Sequence, residues 1–222
     1  MKTRQQHDLE VDAIRQKLKN LSFNKSTLNK KTVSNTLRSH NLGSIRKTIG
    51  IDRLNAVLEI DTMNQSALVE PSVPMDQLAE ECLKFNFLVP VMPEFKGITV
   101  GGAINGAGIE SSSFQLGQFN DICLSYEILL GNGDLIHVSK DEHPDLFYGV
   151  AGAYGSLGFI TAVKIKLIPF KPWVLLNYHH FESTVEAINH LKQLANQQTV
   201  PDFLEAIVFS STKTILIEGS LK

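Results

Sequence analysis

Apolar residues along the chain follow the two spacings that distinguish helices from strands. Intervals of three and four residues predict two helices, one carried by Val11, Ile14, Leu18 and Leu21 and the other by Met75, Leu78, Ala79 and Cys82. Short apolar runs bounded by turn residues predict strands at 56–61, 66–70, 87–91, 121–130 and 135–139. The last two strands flank Asn132 and Gly133, which tolerate the positive φ of a tight hairpin. Helices and strands mixed in this way predict an α+β fold.

Strict alternation marks the stretch from 159 to 168. Thr161, Val163, Ile165 and Leu167 share one face, which predicts a strand buried on that face alone and ended by the prolines that follow. After Trp173 the pattern starts afresh, with a strand at 174–181 and strands at 203–210 and 214–218. The helix between them is expected to begin with a capping box over Ser183–Glu186 and to turn four apolar residues inward, namely Val185, Ile188, Leu191 and Ala195.

The chain of 222 residues is therefore expected to have three parts. These are a basic N-terminal segment at 1–50, a central domain at 51–172 and part of a further domain at 173–222. Three strands and one helix make a small core and leave a sheet edge unpaired. For the last part we expect either self-association or a missing segment that completes it.

Charge is distributed unevenly along the chain. Residues 1–50 carry 11 Lys and Arg against three Asp and Glu, whereas the whole chain has a net charge of -2. A basic segment can contact nucleic acid, anionic lipid or a phosphate-bearing cofactor, or it can simply be a solvated face. Phe23 is the lone aromatic residue there, so we expect no nucleic-acid partner, while peripheral membrane contact stays open.

The absence of a long apolar run, of a secretory signal and of paired cysteine motifs leads us to expect a cytoplasmic protein.

Two glycine-rich segments are the candidates for ligand binding. The first, at 98–113, has a run of small residues at Gly101, Gly102, Ala103, Gly106, Ala107 and Gly108. It has neither the Gly-Lys-Ser/Thr of a phosphate-binding loop nor a G-x-G-x-x-G opening a long helix. Uncovered backbone lets a flat or anionic ligand approach closely, but tight turns with close strand packing explain the same residues. The second, at 152–158, is either a similar ligand contact or a helix-to-strand connection.

These motifs in their order resemble a known family. Val69-Glu70-Pro71, Thr99-Val100-Gly101-Gly102, Gly106, Gly108, the Gly133 hairpin and Gly155-Ser156-Leu157-Gly158-Phe159-Ile160 are similar to the FAD-binding (PCMH-type) domain of the vanillyl-alcohol oxidase superfamily. Within it, Thr99-Val100-Gly101-Gly102 followed by Gly108-Ile109-Glu110-Ser111-Ser112-Ser113 resembles the delta(24)-sterol reductases. The resemblance implies a two-subdomain fold, dissociable FAD, and the start of an α/β substrate cap after about residue 173.

The resemblance also implies which residues contact FAD. The flavin-contacting segment would be Thr99, Val100, Gly101, Gly102, Ala103, Ile104, Asn105, Gly106, Ala107, Gly108, Ile109, Glu110 and Ser111, and the adenine half would lie near Gly155, Gly158, Phe159 and Ile160. A glycine-rich pyrophosphate loop is missing, and Lys25, Lys30 and Lys31 stand in the corresponding stretch. The Glu110 carboxylate is expected to bond either the ligand or neighbouring backbone N–H groups. Asp121 and Glu127 are interpreted as strand-edge residues, the seven histidines suggest no metal site, and no catalytic residue is assigned.

The implied activity is hydride transfer through the flavin N5, with NAD(P)H as a possible electron donor and a carbon–carbon double bond as acceptor. The substrate would be a small molecule, either a sterol or another alkene. Two alternatives stay open at this point. One is a non-catalytic flavin-binding remnant that serves as an interaction module, and the other is a flavin oxidase of a small hydroxylated substrate.

Overall fold

The computed structural model describes residues 2–20, 28–30 and 48–222, with residues 28–30 and Thr48 described through their backbone alone. The helices are α1 (Arg4–Lys19), α2 (Met75–Leu83), α3 (Val100–Asn105), α4 (Ser113–Leu116), α5 (Pro144–Val150) and α6 (Thr184–Ala195), with a 3-10 turn at Phe119–Ile122. The strands are β1 (Leu28–Lys30), β2 (Thr48–Gly50), β3 (Val57–Asp61), β4 (Ser66–Val69), β5 (Phe87–Leu88), β6 (Cys123–Leu129), β7 (Leu135–Ser139), β8 (Phe159–Lys166), β9 (Ile168–Pro169), β10 (Val174–Phe181), β11 (Phe203–Ser210) and β12 (Lys213–Leu221). The predicted α+β class is confirmed.

A five-stranded antiparallel sheet forms the centre of the molecule, in the order β3-β4-β8-β6-β7. The main core includes residues of this sheet and of α2, α3 and α5, with Leu78, Ile104 and Tyr126 almost fully buried. Burial of large side chains of this kind contributes about 1.5–3 kcal/mol each. Of the smaller ladders, β1 and β2 pair in parallel, and β5 and β9 pair antiparallel.

Strand β8 corrects the expectation of a strand buried on one face. Its first half is buried on both faces, because Ile160, Thr161, Ala162 and Val163 are all inaccessible between β4 and β6. The alternation that the sequence predicts survives only at Lys164–Lys166, where the strand approaches the surface. A strand buried on both faces usually has a continuous run of apolar residues. Here Thr161 and Ala162 interrupt the run of large apolar residues, so the sequence suggested burial on one face only.

Helix α1 packs against the central sheet from outside. Val11 and Ile14 are buried against Ile49, Leu54 and Leu129, so the three-four spacing predicted this helix correctly. Leu21, the last residue of the predicted pattern, lies outside the described residues. Thr3 caps the start of the helix: its hydroxyl accepts a hydrogen bond from Gln6 N, and the Gln6 side-chain oxygen accepts one from Thr3 N.

Residues after Trp173 form a separate antiparallel sheet in the order β10-β12-β11, with α6 on one face. The Ser183 hydroxyl accepts from Glu186 N, which is one of the two hydrogen bonds of the predicted capping box; the structure does not show the return bond from the Glu186 side chain. The predicted inward face of α6 is wrong in part, because Val185 and Ile188 are exposed while Ala187 and Leu194 are buried. Its buried cluster consists of Leu194, Leu204 and Leu216. The domain boundaries themselves stay a prediction.

The other face of this sheet is largely apolar and exposed to solvent, with Glu205 and His180 as polar members. Ile207 lies beside Ile215 in the register, and Tyr178 lies beside Ile217. Tyr178 is 65% and Ile207 46% exposed. Exposed apolar surface of this kind marks an interface or a site of aggregation. Self-association, or alternatively a missing segment of the cap, stays a prediction. This exposed face of the sheet is the surface that either of them would cover.

We expect Ile207→Lys to shift sedimentation toward the monomer, because a lysine on this face opposes burial of the sheet against a second copy. Sedimentation velocity across a range of concentrations measures the effect. Val185→Lys is the matched control, since Val185 is 67% exposed on α6 and not on the open face. A wild-type chain that stays monomeric at every concentration would contradict self-association and favour the missing segment.

In the part of the chain that the structure describes, no helix is long and apolar enough to span a bilayer.

Candidate functional site

The first glycine-rich segment forms one side of a cavity of about 680 Å³. The loop at 93–98 and the beginning of β11 complete its walls. Nine of the predicted flavin-contacting residues line it, namely Thr99, Gly102, Ala103, Gly106, Ala107, Gly108, Ile109, Glu110 and Ser111. Cavities of about 300–1,000 Å³ are typical of small-molecule and cofactor sites. The structure therefore brings most of this predicted set together at one cavity.

The geometry of the segment follows from α3, a short helix that the sequence analysis did not predict. The Thr99 hydroxyl caps it by accepting a hydrogen bond from Gly102 N at 3.2 Å. Backbone hydrogen bonds from Met75 N to Ile98 O and from Val100 N to Val73 O, both 2.9 Å, fasten its start to the residues around the beginning of α2. This attachment places one side of α3 in the core and the other along the cavity.

The remaining four residues of the predicted segment do not line the cavity. Val100 and Ile104 are fully buried in the core. A side-chain carbon on Gly101 would lie 3.0 Å from Pro71 Cβ, so this glycine is explained by close packing against Pro71. The Asn105 amide donates to Gly101 O at 2.8 Å and reinforces the helix end. Of the Gly101–Gly102 pair, Gly102 alone lines the cavity.

Two residues of the cavity come from the C-terminal sheet. Leu204 and Glu205 of β11 form part of the lining, and Leu204 N donates to Ser111 O at 2.9 Å. The Gln115 side chain also hydrogen-bonds Pro201 O. Sequence reasoning missed this wall because about ninety residues separate it from the glycines. No short motif predicts which strand of a later unit will close a cavity.

Among the described residues of the lining, the ionisable groups are all carboxyls, contributed by Glu94, Glu110 and Glu205. Glu110 Oε1 accepts a hydrogen bond from Glu94 N at 3.1 Å. The structure thus shows the backbone acceptance that the sequence analysis gave as one of two alternatives. Burial raises the pKa of Glu110, the Glu94 N–H opposes that rise, and the charges of Glu94 and Glu205 add to it.

The second glycine-rich segment connects α5 to β8 and does not line the cavity. Gly158 has φ +144, and a side-chain carbon there would lie 2.8 Å from both Leu129 O and Ile128 Cγ2. Ile160 is buried in the main core, and Phe159 packs beside Leu129 under α1. Close packing against β6 therefore explains Gly158. Contact of Gly155, Gly158, Phe159 and Ile160 with the adenine half stays a prediction.

We expect Gly158→Ala to lower the free energy of unfolding by about 2–4 kcal/mol, from backbone strain and a steric clash with β6. Chemical denaturation measures the change. Gly152→Ala is the matched control, because Gly152 also has a positive φ of +74 but nothing within 4 Å of the added carbon. It should cost about 1–2 kcal/mol from strain alone. Equal costs for the two variants would contradict the packing explanation.

Of the basic residues expected near the pyrophosphate, Lys25 and Lys31 lie outside the described residues, and Lys30 is described through its backbone alone, in β1.

A buried charge cluster, which the sequence analysis missed, joins α1 to the central sheet. His7 is fully buried, with Nδ1 2.7 Å from Glu70 Oε1 and Nε2 2.9 Å from Glu127 Oε1. Lys2 also contacts Glu70, at 2.9 Å, and Arg4 pairs with Glu127. We call this set the His7 cluster. A histidine at the spacing 7, 11, 14, 18 on the apolar face of α1 was the available signal.

The interpretation of Glu127 and Asp121 as strand-edge residues is wrong. Glu127 lies in β6, which pairs with β7 on one side and β8 on the other. Burial raises its pKa, but hydrogen bonds from His7, Thr161 and Arg4 outweigh burial and hold the pKa at about 2. Asp121 lies in the 3-10 turn, where its carboxylate accepts from Gln118 N at 2.7 Å.

His7 completes this arrangement as an imidazolium. Burial opposes its charge, yet the pKa of His7 is raised because hydrogen bonds to Glu127 and Glu70 favour the protonated ring. Each ring nitrogen faces a carboxylate oxygen, and only the doubly protonated ring donates to both. In the same way the pKa of Glu70 is lowered, since the hydrogen bonds from His7 and Lys2 outweigh its burial.

Comparison with known proteins identifies a family whose match includes the glycine-rich segment at the cavity. Residues 31–139 match the family described as FAD binding domain. The chain is 32% identical to the delta(24)-sterol reductase of Pisum sativum, covering 98% of this chain and 41% of that protein. It is 35% identical to the delta(24)-sterol reductase of Homo sapiens, covering 83% of this chain and 35% of that protein. Cytokinin dehydrogenase 8 of Oryza sativa subsp. indica is 34% identical over 48% of this chain.

The chain therefore carries an FAD-binding domain of the vanillyl-alcohol oxidase type and belongs to this FAD-binding family, as its motifs predict. Within the family it resembles the delta(24)-sterol reductases. It spans about two fifths of the length of the Pisum sativum reductase and 35% of the human protein.

Proposed function

We propose that this chain binds FAD without a covalent link and serves as the cofactor-binding part of an enzyme that reduces a carbon–carbon double bond, in the manner of the delta(24)-sterol reductases. The observation that carries the proposal is the cavity whose lining includes Gly102, Gly106, Ala107 and Gly108. A sterol or another alkene is the proposed substrate class, NAD(P)H the proposed electron donor and the cytoplasm the proposed location. When bound, FAD supplies hydride transfer through its flavin N5.

The residues present fit the uncharged part of this cofactor. Small residues at Gly102 and Gly108 let a flat ring approach the backbone, and Phe95 and Ile109 offer apolar side chains that are 62% and 66% exposed. The backbone and carboxylate oxygens of the lining suit the hydroxyl groups of a ribityl chain. With a volume of about 680 Å³ and this lining, the cavity suits the flavin and ribityl portion.

The pyrophosphate does not fit the same place. No Lys, Arg or His belongs to the described lining, and three glutamates do, so a dianion there would meet repulsion. The basic stretch at 21–47 carries six Lys and Arg and no Asp or Glu, and the family match begins within it at residue 31. We assign the pyrophosphate to that stretch by its charge alone.

The absorbance spectrum of the purified chain tests FAD binding. We expect a flavin spectrum after incubation with FAD and removal of the excess, and release of that flavin on denaturation, because the link is not covalent. A chain that takes up no flavin would contradict the proposal.

Anaerobic addition of NADPH or NADH then separates the candidate functions. Bleaching of the bound flavin, followed by recovery on adding a sterol with a side-chain double bond, supports the reductase. Bleaching with neither donor favours the non-catalytic module. Recovery on air with release of peroxide, and none with the alkene, favours the oxidase of a small hydroxylated substrate.

A further inference from the structure

Two separate sets of contacts hold α1 on the central sheet. One is the apolar cluster that joins Val11 and Ile14 to Leu129 of the sheet and to β2. The other is the His7 cluster, which lies at the first turn of the helix. The main core, as far as the structure describes it, contains no residue of α1. The sheet therefore keeps that core when α1 detaches, and units of this kind can open separately from the rest of a protein.

The His7 ring bridges two carboxylates on the sheet side of the cluster. Its Nδ1 lies 2.7 Å from Glu70 Oε1, and its Nε2 lies 2.9 Å from Glu127 Oε1. A protonated ring donates to both, whereas a neutral ring has one N–H and turns the lone pair of its other nitrogen toward the second carboxylate. Loss of the proton therefore breaks one hydrogen bond and leaves a buried carboxylate facing a lone pair.

The other groups on the sheet side do not compensate for loss of that proton. Thr161 of β8 is neutral and donates to Glu127 at 2.7 Å. His137 of β7 lies opposite Glu127 in the register, but its ring pairs with the exposed Glu142. Lys164 lies further along β8, three residues beyond Thr161.

The cations on the α1 side are each shared between two carboxylates. Lys2 and Arg4 both pair with one carboxylate of the sheet side and with one acid of α1, Glu10 and Asp8 respectively. The protonated ring of His7 thus supplies a positive charge that neither cation replaces. A neutral ring leaves the cluster with an uncompensated negative charge, which is costly in a buried place.

Helix α1 also packs on the strand that follows the basic stretch at 21–47. Ile49 of β2 lies in the buried cluster with Val11 and Ile14. Strand β2 pairs in parallel with β1, which lies inside that stretch. A docked α1 therefore fixes the position of β2 and, through the pairing, that of β1. Its consequence for the cofactor rests on the proposed function, in which the basic stretch holds the pyrophosphate of FAD.

We propose that His7 is a positioning residue whose proton holds α1 on the central sheet, so that α1 detaches as a unit when the ring releases this proton to water at alkaline pH. Detachment removes the support of β2 and so weakens FAD binding. Burial opposes the charge of His7, but its hydrogen bonds to Glu127 and Glu70 raise the pKa. The effect of the proton is therefore complete below about 6.5 and is lost as the pH rises through the folded value.

Hydrogen exchange of the full chain tests the detachment. Mass spectrometry follows it from about pH 6 to about pH 9, with correction for the intrinsic exchange rate at each pH. We expect the protection of α1 to fall by about tenfold or more relative to β6 and β8 as the pH rises, since an unsatisfied buried group favours opening by that order. Protection of α1 that does not change with pH, or that falls together with that of β6 and β8, would overturn the proposal.

Two variants of the cluster separate the proton from simple packing. His7→Gln donates to one carboxylate at every pH, so its α1 should exchange rapidly and independently of pH. Glu127→Gln gives a neutral ring an amide that donates to its free nitrogen, so α1 should stay protected up to about pH 9. A Glu127→Gln variant with the wild-type pH profile would overturn the role of the ring. The wild-type profile by itself decides if neither variant folds.

His137→Gln is the matched control, because His137 is the other histidine beside Glu127 and its own pair with Glu142 is exposed. This variant should keep the wild-type exchange profile of α1. A profile that becomes flat in His137→Gln would assign the proton to the wrong histidine and overturn the proposal.

Titration of the apoprotein with FAD at about pH 6 and about pH 9 tests the link to the cofactor. The wild type should bind FAD about fivefold or more weakly at the higher pH, whereas Glu127→Gln should bind equally at both. By reciprocity, bound FAD should raise the protection of α1 at about pH 9. Equal wild-type affinities would overturn the link between α1 and the cofactor. A chain that takes up no FAD at either pH would instead overturn the proposed function, and the exchange profile would still decide whether His7 holds α1.

Discussion

Replacing His7 by alanine is expected to lower the free energy of unfolding by about 3–5 kcal/mol, because removal of one member of a buried ion pair leaves the others unpaired. Glu70 is fully buried and Glu127 nearly so, and both lose a hydrogen-bond donor in this variant. Urea denaturation followed by circular dichroism measures the loss. In most domains of this size such a loss consumes a large share of the total stability.

The matched control is His137→Ala. His137 also pairs with a glutamate, Glu142, at 3.2 Å, but both side chains are more than half exposed. Exposed pairs contribute about 0–1 kcal/mol, so this variant should be almost neutral. An equal loss of unfolding free energy in the two histidine variants would show that burial of the His7 cluster does not add to its stabilising effect.

The free energy of unfolding of the wild type should also depend on pH. It should fall at high pH, where His7 loses its proton, and at low pH, where Glu127 gains one. The pKa of His7 is raised in the folded state, so its contribution is complete below its unfolded value of about 6.5 and is lost as the pH rises through the folded value. The pKa of Glu127 is lowered to about 2, so its contribution is complete above about 4.3 and is lost as the pH falls toward 2. The His7→Ala variant should lose the alkaline part of this dependence.

Gly102→Val is expected to weaken FAD binding by about 10–100-fold while leaving the fold largely intact. Gly102 lines the cavity on the side of α3 that faces away from the core, so a valine occupies space that the ligand needs. Overpacking of a fitted site costs about 1–3 kcal/mol, and 1.4 kcal/mol corresponds to tenfold in affinity. Titration of the apoprotein with FAD, followed by quenching of flavin fluorescence, measures the change.

Gly131→Val provides the matched control, because Gly131 lies in the hairpin turn with nothing within 4 Å of an added side-chain carbon. It should leave the FAD affinity unchanged. Full affinity in Gly102→Val would show that the cofactor lies elsewhere, whereas a loss in both variants would point to a general effect on folding.

The sequence predicted those elements whose evidence is local. Apolar spacing located α1 and α2, and Asn132 with Gly133 located the hairpin between β6 and β7, because periodicity and turn geometry depend on adjacent residues. The glycine segment was also found, since small residues in a row are visible without knowledge of the fold. Helix α3 within it was missed, because glycines disfavour a helix and the Thr99 cap with its anchors to the start of α2 stabilises this one.

Contacts between distant residues were beyond the sequence. His7, Glu70 and Glu127 lie on three separate elements, and nothing in the local pattern of any one of them indicates the other two. The same holds for Glu205, whose place at the cavity depends on how β11 packs beside Ser111. The inward face of α6 was assigned wrongly for a related reason, because the sheet it covers is small and leaves Val185 and Ile188 without a partner.

The wall that β11 contributes to the cavity has a thermodynamic consequence. A ligand that touches both Gly102 and Glu205 binds only when the C-terminal sheet is docked, so ligand occupancy and docking are linked quantities. At a hundredfold excess over its dissociation constant, such a ligand adds about 2.7 kcal/mol to the docked state. The C-terminal sheet, with three leucines as its buried cluster, has little stability of its own to lose. With FAD as the proposed ligand of this cavity, its supply sets how much of this chain is protected from opening and proteolysis.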